Sequence, residues 1–239
     1  MEEYRSHVDA RDLVGFRVVL KESDLAIACE GRLQGEALAA LGRHRRDLES
    51  YLKEYPELLC SLEPVSVHPR APGIVRVMAE AARRAGVGPM AAVAGALAEA
   101  VGRTLLRRSR EVIVENGGDL FCAVRRPRTV ALDAGPSPLS YTLGLRIRPE
   151  MGPVGICTSS GTVGGSLSFG RADAVTIVAR GAALADAAAT AVGNLVQGAA
   201  EIEAGLSRAQ AIPGVLGIVI VVGAHLGAWG AIELVEIGL

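Results

Sequence analysis

From Gly155 to Asn194 the chain reads GICTSSGTVGGSLSFGRADAVTIVARGAALADAAATAVGN, mostly Gly, Ala, Ser and Thr, with one Asp four residues before a Thr. So little side-chain bulk restricts what the segment can become. Either a Gly-rich hairpin leads into an Ala-rich helix buried by close packing, or backbone N–H groups and hydroxyls stay open to a phosphate or a cation. Glycine runs do not decide between the two without the strands and helices around them.

The remaining sequence narrows the function classes. At 239 residues the chain is long enough to bury a core without disulfides or metals as staples. Its formal net charge of −1 gives no long-range field for nucleic acid or an anionic membrane, although arginines cluster at Arg43, Arg45 and Arg46 and at Arg83 and Arg84. Aromatic residues are only 3% of the chain, too few for base-stacking platforms, so nucleic acid is not an expected partner. Cys29, Cys60, Cys122 and Cys157 lie far apart with no C-x-x-C pair, which argues for free thiols in a reducing compartment. The start, MEEYRSHVDARD, lacks the basic-then-apolar layout of a signal peptide, and the expected location is the cytoplasm. Ile212 to Ile232 is nearly uncharged and about long enough for a bilayer, but its glycines and the β-branched run Ile218 to Val222 predict two buried strands joined by a turn around Ala224 to Gly230. No membrane partner is expected.

Periodicity predicts an α+β domain. Phe16 to Lys21 and Asp24 to Cys29 form a hairpin with Glu22 and Ser23 at its turn, and Gln34 to Tyr55 is an amphipathic surface helix. Four prolines between Pro56 and Pro72 mark an irregular excursion. Gly73 to Ala85 is a helix with Ile74, Val77, Met78, Ala81 and Ala82 on one face, and Met90 to Leu106 is a second, apolar nearly all round up to Val101 and therefore central. Glu111 to Glu115 is a strand ending at Asn116-Gly117-Gly118-Asp119, and Leu120 to Val124 with Thr129 to Asp133 continues its sheet. Ser140 to Arg148, Gly152 to Ser159 and Ala174 to Ala179 are further strands. Ala182 to Gly198 is a helix that sets Asp186, Thr190 and Asn194 on one face, and another helix includes Glu201 to Leu206.

Three constellations have the residue types for chemistry. Asp186 and Thr190, at i and i+4, can both reach a hard cation such as Mg2+; equally, Asp186 can serve the helix dipole while Thr190 bonds back to its carbonyl. Asn116, Gly117, Gly118 and Asp119 suit either a plain hairpin turn or a close approach of ligand to backbone. Thr158, Ser159, Ser160, Gly161 and Thr162 offer donors to phosphate oxygens, but no Gly-Lys-Ser/Thr follows and no nucleophile elbow is present. His7, His44, His68 and His225 are remote in sequence from all three, so no Ser-His relay can be drawn from spacing.

Long blocks in order carry a resemblance: GPMAAVAGALAE from Gly88, EVIVENGGDL from Glu111, GPSPLS from Gly135, GICTSSGTVGGSLSFGRADAV from Gly155 and LADAAATAVGN from Leu184. Over nearly its whole length the chain resembles uncharacterised protein family 0280, related to the ApbE-type flavin transferases. The resemblance implies a single ApbE-like α+β domain over residues 1–239, with a mixed sheet and buried Ala-rich helices. In ApbE-type enzymes a helical Asp and Thr bind Mg2+, FAD lies beside them, and FMN passes to a Thr of a target protein with release of AMP. By that resemblance Asp186 and Thr190 become candidate metal ligands. Asn116, Gly117, Gly118, Asp119, Thr158, Ser159, Ser160 and Gly161 become candidate walls of a FAD or FMN cleft, in a Mg-dependent FMN transferase or FAD hydrolase acting with a protein acceptor. Flavin transferases also carry a His-x-x-Asp-Pro stretch after the Ser-Gly, where this chain has Gly165-Ser166-Leu167-Ser168-Phe169, so any step given to that His falls to another residue or is not performed. The alternative on the same scaffold is a non-catalytic accessory protein, with a role in sulfur assimilation toward homocysteine suggested by relatives. A third reading is a structural oligomer that packs its Ala/Gly surfaces against a second copy.

Overall fold

The computed structural model of the chain describes residues 8–162 and 169–237. Its centre is an eight-stranded sheet in the order β1 (Val14–Leu20), β2 (Ser23–Cys29), β3 (Val112–Asn116), β4 (Asp119–Ala123), β7 (Val154–Ser159), β8 (Ala174–Ala179), β9 (Val215–Val222) and β10 (His225–Gly230). A three-stranded sheet of β11 (Leu234–Glu236), β6 (Leu143–Ile147) and β5 (Arg128–Ala131) lies on one face. Helices α1 (Gln34–Glu54), α3 (Gly73–Ala85), α4 (Val93–Leu105), α5 (Ala182–Gly193) and α6 (Ile202–Gln210) cover the other, with the short α2 (Glu57–Cys60) beside them. The expected α+β domain with buried Ala-rich helices holds in its layers, and every strand pairing among the described residues is antiparallel.

Two apolar clusters explain why the middle strands are hydrophobic on both faces. Phe121, Val114, Ile177 and Ile220 pack under Leu41, Met78, Leu97 and Val192, while Ile113, Leu120, Ile156 and Val178 meet Val130, Leu145 and Ile147 of the small sheet. All six residues of β8 are buried. Full burial of a side chain such as Phe121 contributes about 2–3 kcal/mol. The ring sits directly under α4, where a Cβ on Gly102 would lie 2.2 Å from Phe121 Cδ1, so Gly102→Ala would force the helix off the sheet.

The Ala-rich helix is as close-packed as its composition requires. A Cβ on Gly95 of α4 would stand 2.2 Å from the Ala182 carbonyl oxygen, and one on Gly155 of β7 would stand 2.2 Å from Ala182 Cα. The first turn of α5 is therefore wedged between two glycines. Its open end is closed by Glu99, whose Oε2 accepts the Ala182 N–H at 2.7 Å and sets a negative charge at the helix N-terminus. α3 ends where Gly86 turns left-handed, at φ 75°.

Several expected boundaries move. The first turn lies at Lys21 and Glu22, with Lys21 at φ 53°, one residue earlier than predicted. Val77 is exposed, and Val75 takes its place in the buried face of α3. The Met90 to Leu106 helix opens with a 3-10 turn, Pro89–Ala92, before α4, and α5 stops at Gly193 rather than Gly198. The strand predicted at Thr129 to Asp133 belongs to the small sheet, because its buried side faces the second cluster. The last turn is Gly223-Ala224, and His225–Gly230 is itself a strand, exposed along most of its length. Among the described residues no single helix is long and apolar enough to cross a membrane; one bent pair, Gly73–Ala85 with Pro89–Leu105, passes on length and composition together, and both its helices pack in the helical layer.

Candidate functional site

The β3–β4 hairpin closes in two residues, Gly117 at φ 66° and Gly118 at φ 97°. Two consecutive left-handed residues make the tight turn that Asn-Gly-Gly-Asp predicts, with Asn116 and Asp119 as the closing pair. Next to it the end of β7 brings Thr158 and Ser159, because Asp119 pairs with Cys157 across the strands. α5 then crosses over this corner. Gly117, Asp119, Thr158, Ser159, Asp186, Thr190 and Asn194 together line a cleft of about 370 Å3.

Two carboxylates meet at its floor. Asp186 Oδ2 accepts the Gly95 N–H at 2.9 Å, a contact that depends on the close packing of α4 on α5. Burial, and the charge of Asp119 beside it, push the Asp186 carboxyl well above its ordinary range. Burial likewise pushes Asp119 up to about 7, against a hydrogen bond with Cys157 that favours its charged form. Cys157 is buried beneath them, and desolvation with the two neighbouring carboxylates raises its thiol, so it is no nucleophile. Among the described residues neither carboxylate has a cationic partner. The arrangement is a pair of half-buried acids with a hydroxyl one helical turn from Asp186, and no back-bond from Thr190 to the Asp186 carbonyl is seen among the described residues.

Other grouped residues point elsewhere. Asn116 is buried and donates its side-chain N–H to the Ala94 carbonyl at 3.0 Å, bracing the hairpin against α4 rather than facing the cleft. Gly118 does not line the cleft. Ser160 and Gly161 follow β7 on the outer loop, where Ser160 meets Thr162 and the Gly161 N–H reaches the Ala172 carbonyl. Gly165 and its neighbours from 163 to 168, like His7, fall outside the described residues.

The cleft also has walls that local patterns did not mark. Leu59 and Leu62 come from the proline-rich excursion, Met90 from the 3-10 turn and Phe169 from the far side of the outer loop. Leu62 is 62% and Phe169 54% exposed, so the rim is apolar while the floor is acidic. The excursion is held by Gly88, where a Cβ would lie 1.8 Å from the Ser61 carbonyl oxygen. A long loop pinned by proline and glycine was the available signal. Phe169 is held by its N–H on Asn194 Oδ1 at 3.0 Å.

Those residues fit a Mg2+ ion by donor type: hard oxygens from Asp119, Asp186 and Thr190, with two carboxylates left uncompensated. No cluster of three or more His, Cys, Asp and Glu groups able to hold a metal occurs among the described residues.

Comparison with known proteins agrees with this architecture. The family described as AbpE bacteria matches residues 5–221. A UPF0280 protein of Methanococcus aeolicus is 43% identical over 80% of this chain and 79% of its own length. A UPF0280 protein of Methanothermobacter thermautotrophicus is 44% identical over 90% of this chain and 85% of its own. Among solved structures, the apo form of the flavinyl transferase ApbE of Pseudomonas stutzeri superposes with a TM-score of 0.59 at 18% identity, covering 91% of this chain and 94% of that one. The flavin transferase ApbE of Vibrio cholerae gives 0.52 at 14% identity, covering 91% and 96%. At such identities the likeness is one of fold.

Proposed function

The chain belongs to the family described as AbpE bacteria, and from that premise we propose that its cleft binds a flavin nucleotide, FAD, through Mg2+ held by Asp186 and Thr190. The observation that carries the reading is the uncompensated carboxylate pair, Asp119 and Asp186, on the floor of a cleft with an apolar rim. A half-buried pair of acids without a cation either holds a proton or is stabilised by something positive that joins it. Mg2+ at that point would neutralise phosphate oxygens, while Leu62 and Phe169 offer apolar surface to a planar ring. Ser159 supplies a hydroxyl on the α5 side of the cleft, whereas the Thr158 hydroxyl is engaged with Thr176 across the strands at 2.8 Å. The finer reading, supported by the likeness in fold to a flavinyl transferase, is a Mg-dependent transfer of the FMN part of FAD to a hydroxyl of a protein acceptor, with AMP leaving. The relatives found lend no support to the alternative role in sulfur assimilation.

Titration of the protein with FAD, with and without Mg2+, in a calorimeter and with assay of AMP in the same mixture tests this. Mg2+-dependent binding that Asp186→Asn weakens at least about a hundredfold, on the order of 3 kcal/mol, is the expected result. Equal binding by wild type and Asp186→Asn would remove the metal site, and binding without AMP would leave a flavin-binding protein without transferase activity.

A further inference from the structure

The two edges of the large sheet differ. β1 carries Arg17, tied to Asp24 of β2, and is followed by Lys21 paired with Glu49, charges of the kind that keep an edge from pairing. β10 reads His225-Leu-Gly-Ala-Trp-Gly230, with no Lys, Arg, Asp, Glu or Pro. Among the described residues it pairs only with β9, and all of its residues but Gly227 are exposed, including Leu226 and the chain's one tryptophan, Trp229, at 38% and 37%.

Register tells which groups are open. β9 and β10 join through the two residues Gly223-Ala224, with Val222 opposite His225. In a two-residue hairpin that closing pair exchanges its hydrogen bonds, so His225, Gly227 and Trp229 direct their N–H and C=O toward β9. Leu226, Ala228 and Gly230 direct theirs outward. These outward groups call for an extended strand as partner, and β10 is complementary to itself. Antiparallel pairing about a twofold axis at Ala228 sets Ala228 against Ala228 and Leu226 against Gly230, each an exchange of two hydrogen bonds. The same register puts Trp229 opposite the partner's Gly227, on the face where Ile202 and Leu206 of α6 close over the strand, so the indole meets the partner's apolar helix side. An uncharged strand brings no like-charge repulsion to the axis.

We propose that β10 is a self-association edge: two copies of this chain pair antiparallel through Leu226 to Gly230 and join their sheets into one. The inference is independent of what the cleft binds. Sedimentation velocity of the full chain over a dilution series, read with Trp229 fluorescence, tests it. The expected result is a species of twice the chain's mass whose Trp229 emission moves to longer wavelength as dilution separates the copies. Ala228→Pro removes the outward N–H at the axis without touching a bond to β9, and should raise the dissociation constant at least about tenfold while the circular dichroism stays native. Leu226→Lys, which charges the edge, gives the same readout should the proline variant fail to fold. A wild type that stays monomeric throughout, or a dimer indifferent to both substitutions, overturns the proposal.

Discussion

Two places in this molecule hold charge away from bulk water, and they treat it in opposite ways. At one, Arg128 of β5 is buried and every direction of its guanidinium is answered: Nε meets Glu111 at 2.8 Å, Nη1 meets the Asp9 carbonyl at 2.9 Å and Asp12 at 2.5 Å, and Nη2 meets Asp12 at 3.0 Å. At the other, Asp119 and Asp186 repel each other on the floor of the cleft with no cation beside them among the described residues. The guanidinium holds Asp12 well below the usual carboxylate range and is itself held firmly charged, whereas both cleft acids are driven upward. A satisfied network ties the segment before β1 to the small sheet, which is structure. An unsatisfied pair in an open cleft costs stability, and such a cost is retained where a ligand removes it.

The largest expected effect comes from breaking the satisfied site. Arg128→Ala leaves Glu111, 4% exposed, as a lone enclosed carboxylate and frees the Asp9–Asp12 segment. Urea denaturation should show a loss of about 3–5 kcal/mol. A loss under about 1 kcal/mol, the range of a surface pair, would mean that the network is not the anchor described.

A smaller effect of opposite sign is expected at the cleft. Asp119 titrates at about 7 in the folded chain against an ordinary 3.8, so between those pH values the folded state holds more protons than the unfolded one. Stability of the metal-free protein therefore falls as pH rises from about 4 to 7 and levels off above. Asp119→Asn should flatten that slope and stabilise the metal-free protein near pH 8 by about 1–3 kcal/mol, a range kept modest because both acids touch water in the cleft. Mg2+ added at pH 8 should raise the melting temperature of the wild type and leave Asp119→Asn less affected. Asp12 contributes with the other sign, since its depressed carboxyl loses its share of stability only in strong acid. A melting temperature in the variant with the same slope as wild type would assign the pH dependence to other groups.

The same contrast explains what could be read from the sequence. α3 and β8 match their predicted ends, Gly73 to Ala85 and Ala174 to Ala179, because local signals bound them: Pro72 and Gly86 for the helix, and a run of apolar β-formers for the strand. Asp119, Thr158, Ser159, Asp186 and Thr190 converge on one cleft, and each stood in a short motif with its own chemistry. Asn116 shared the motif but not the cleft, because the closing residue of the turn puts its amide against α4. Alternation shows that a strand has a buried side, yet not which layer buries it, so the sequence continues the large sheet through Thr129 to Asp133 where β5 pairs in the small one. The Arg128 network was equally silent, since its members lie up to 119 residues apart.

The rim tests the cleft's apolar half at the smallest scale. Leu62 and Phe169 reach the cleft only because Gly88 admits the Ser61 backbone and Asn194 holds the Phe169 N–H, so neither is part of a packed core. Leu62→Ser and Phe169→Ala should each change folding stability by less than about 0.5 kcal/mol, the usual range of surface substitutions. If the rim covers a planar ring, Phe169→Ala should weaken FAD binding several-fold, about 1 kcal/mol, and leave ADP binding unchanged, because only the flavin end presents a broad aromatic face. Equal losses for FAD and ADP would put Phe169 over the adenosine end instead. Asp186→Asn, which acts through the phosphates, should weaken both ligands alike. The two variants together therefore separate the acidic floor from the apolar rim.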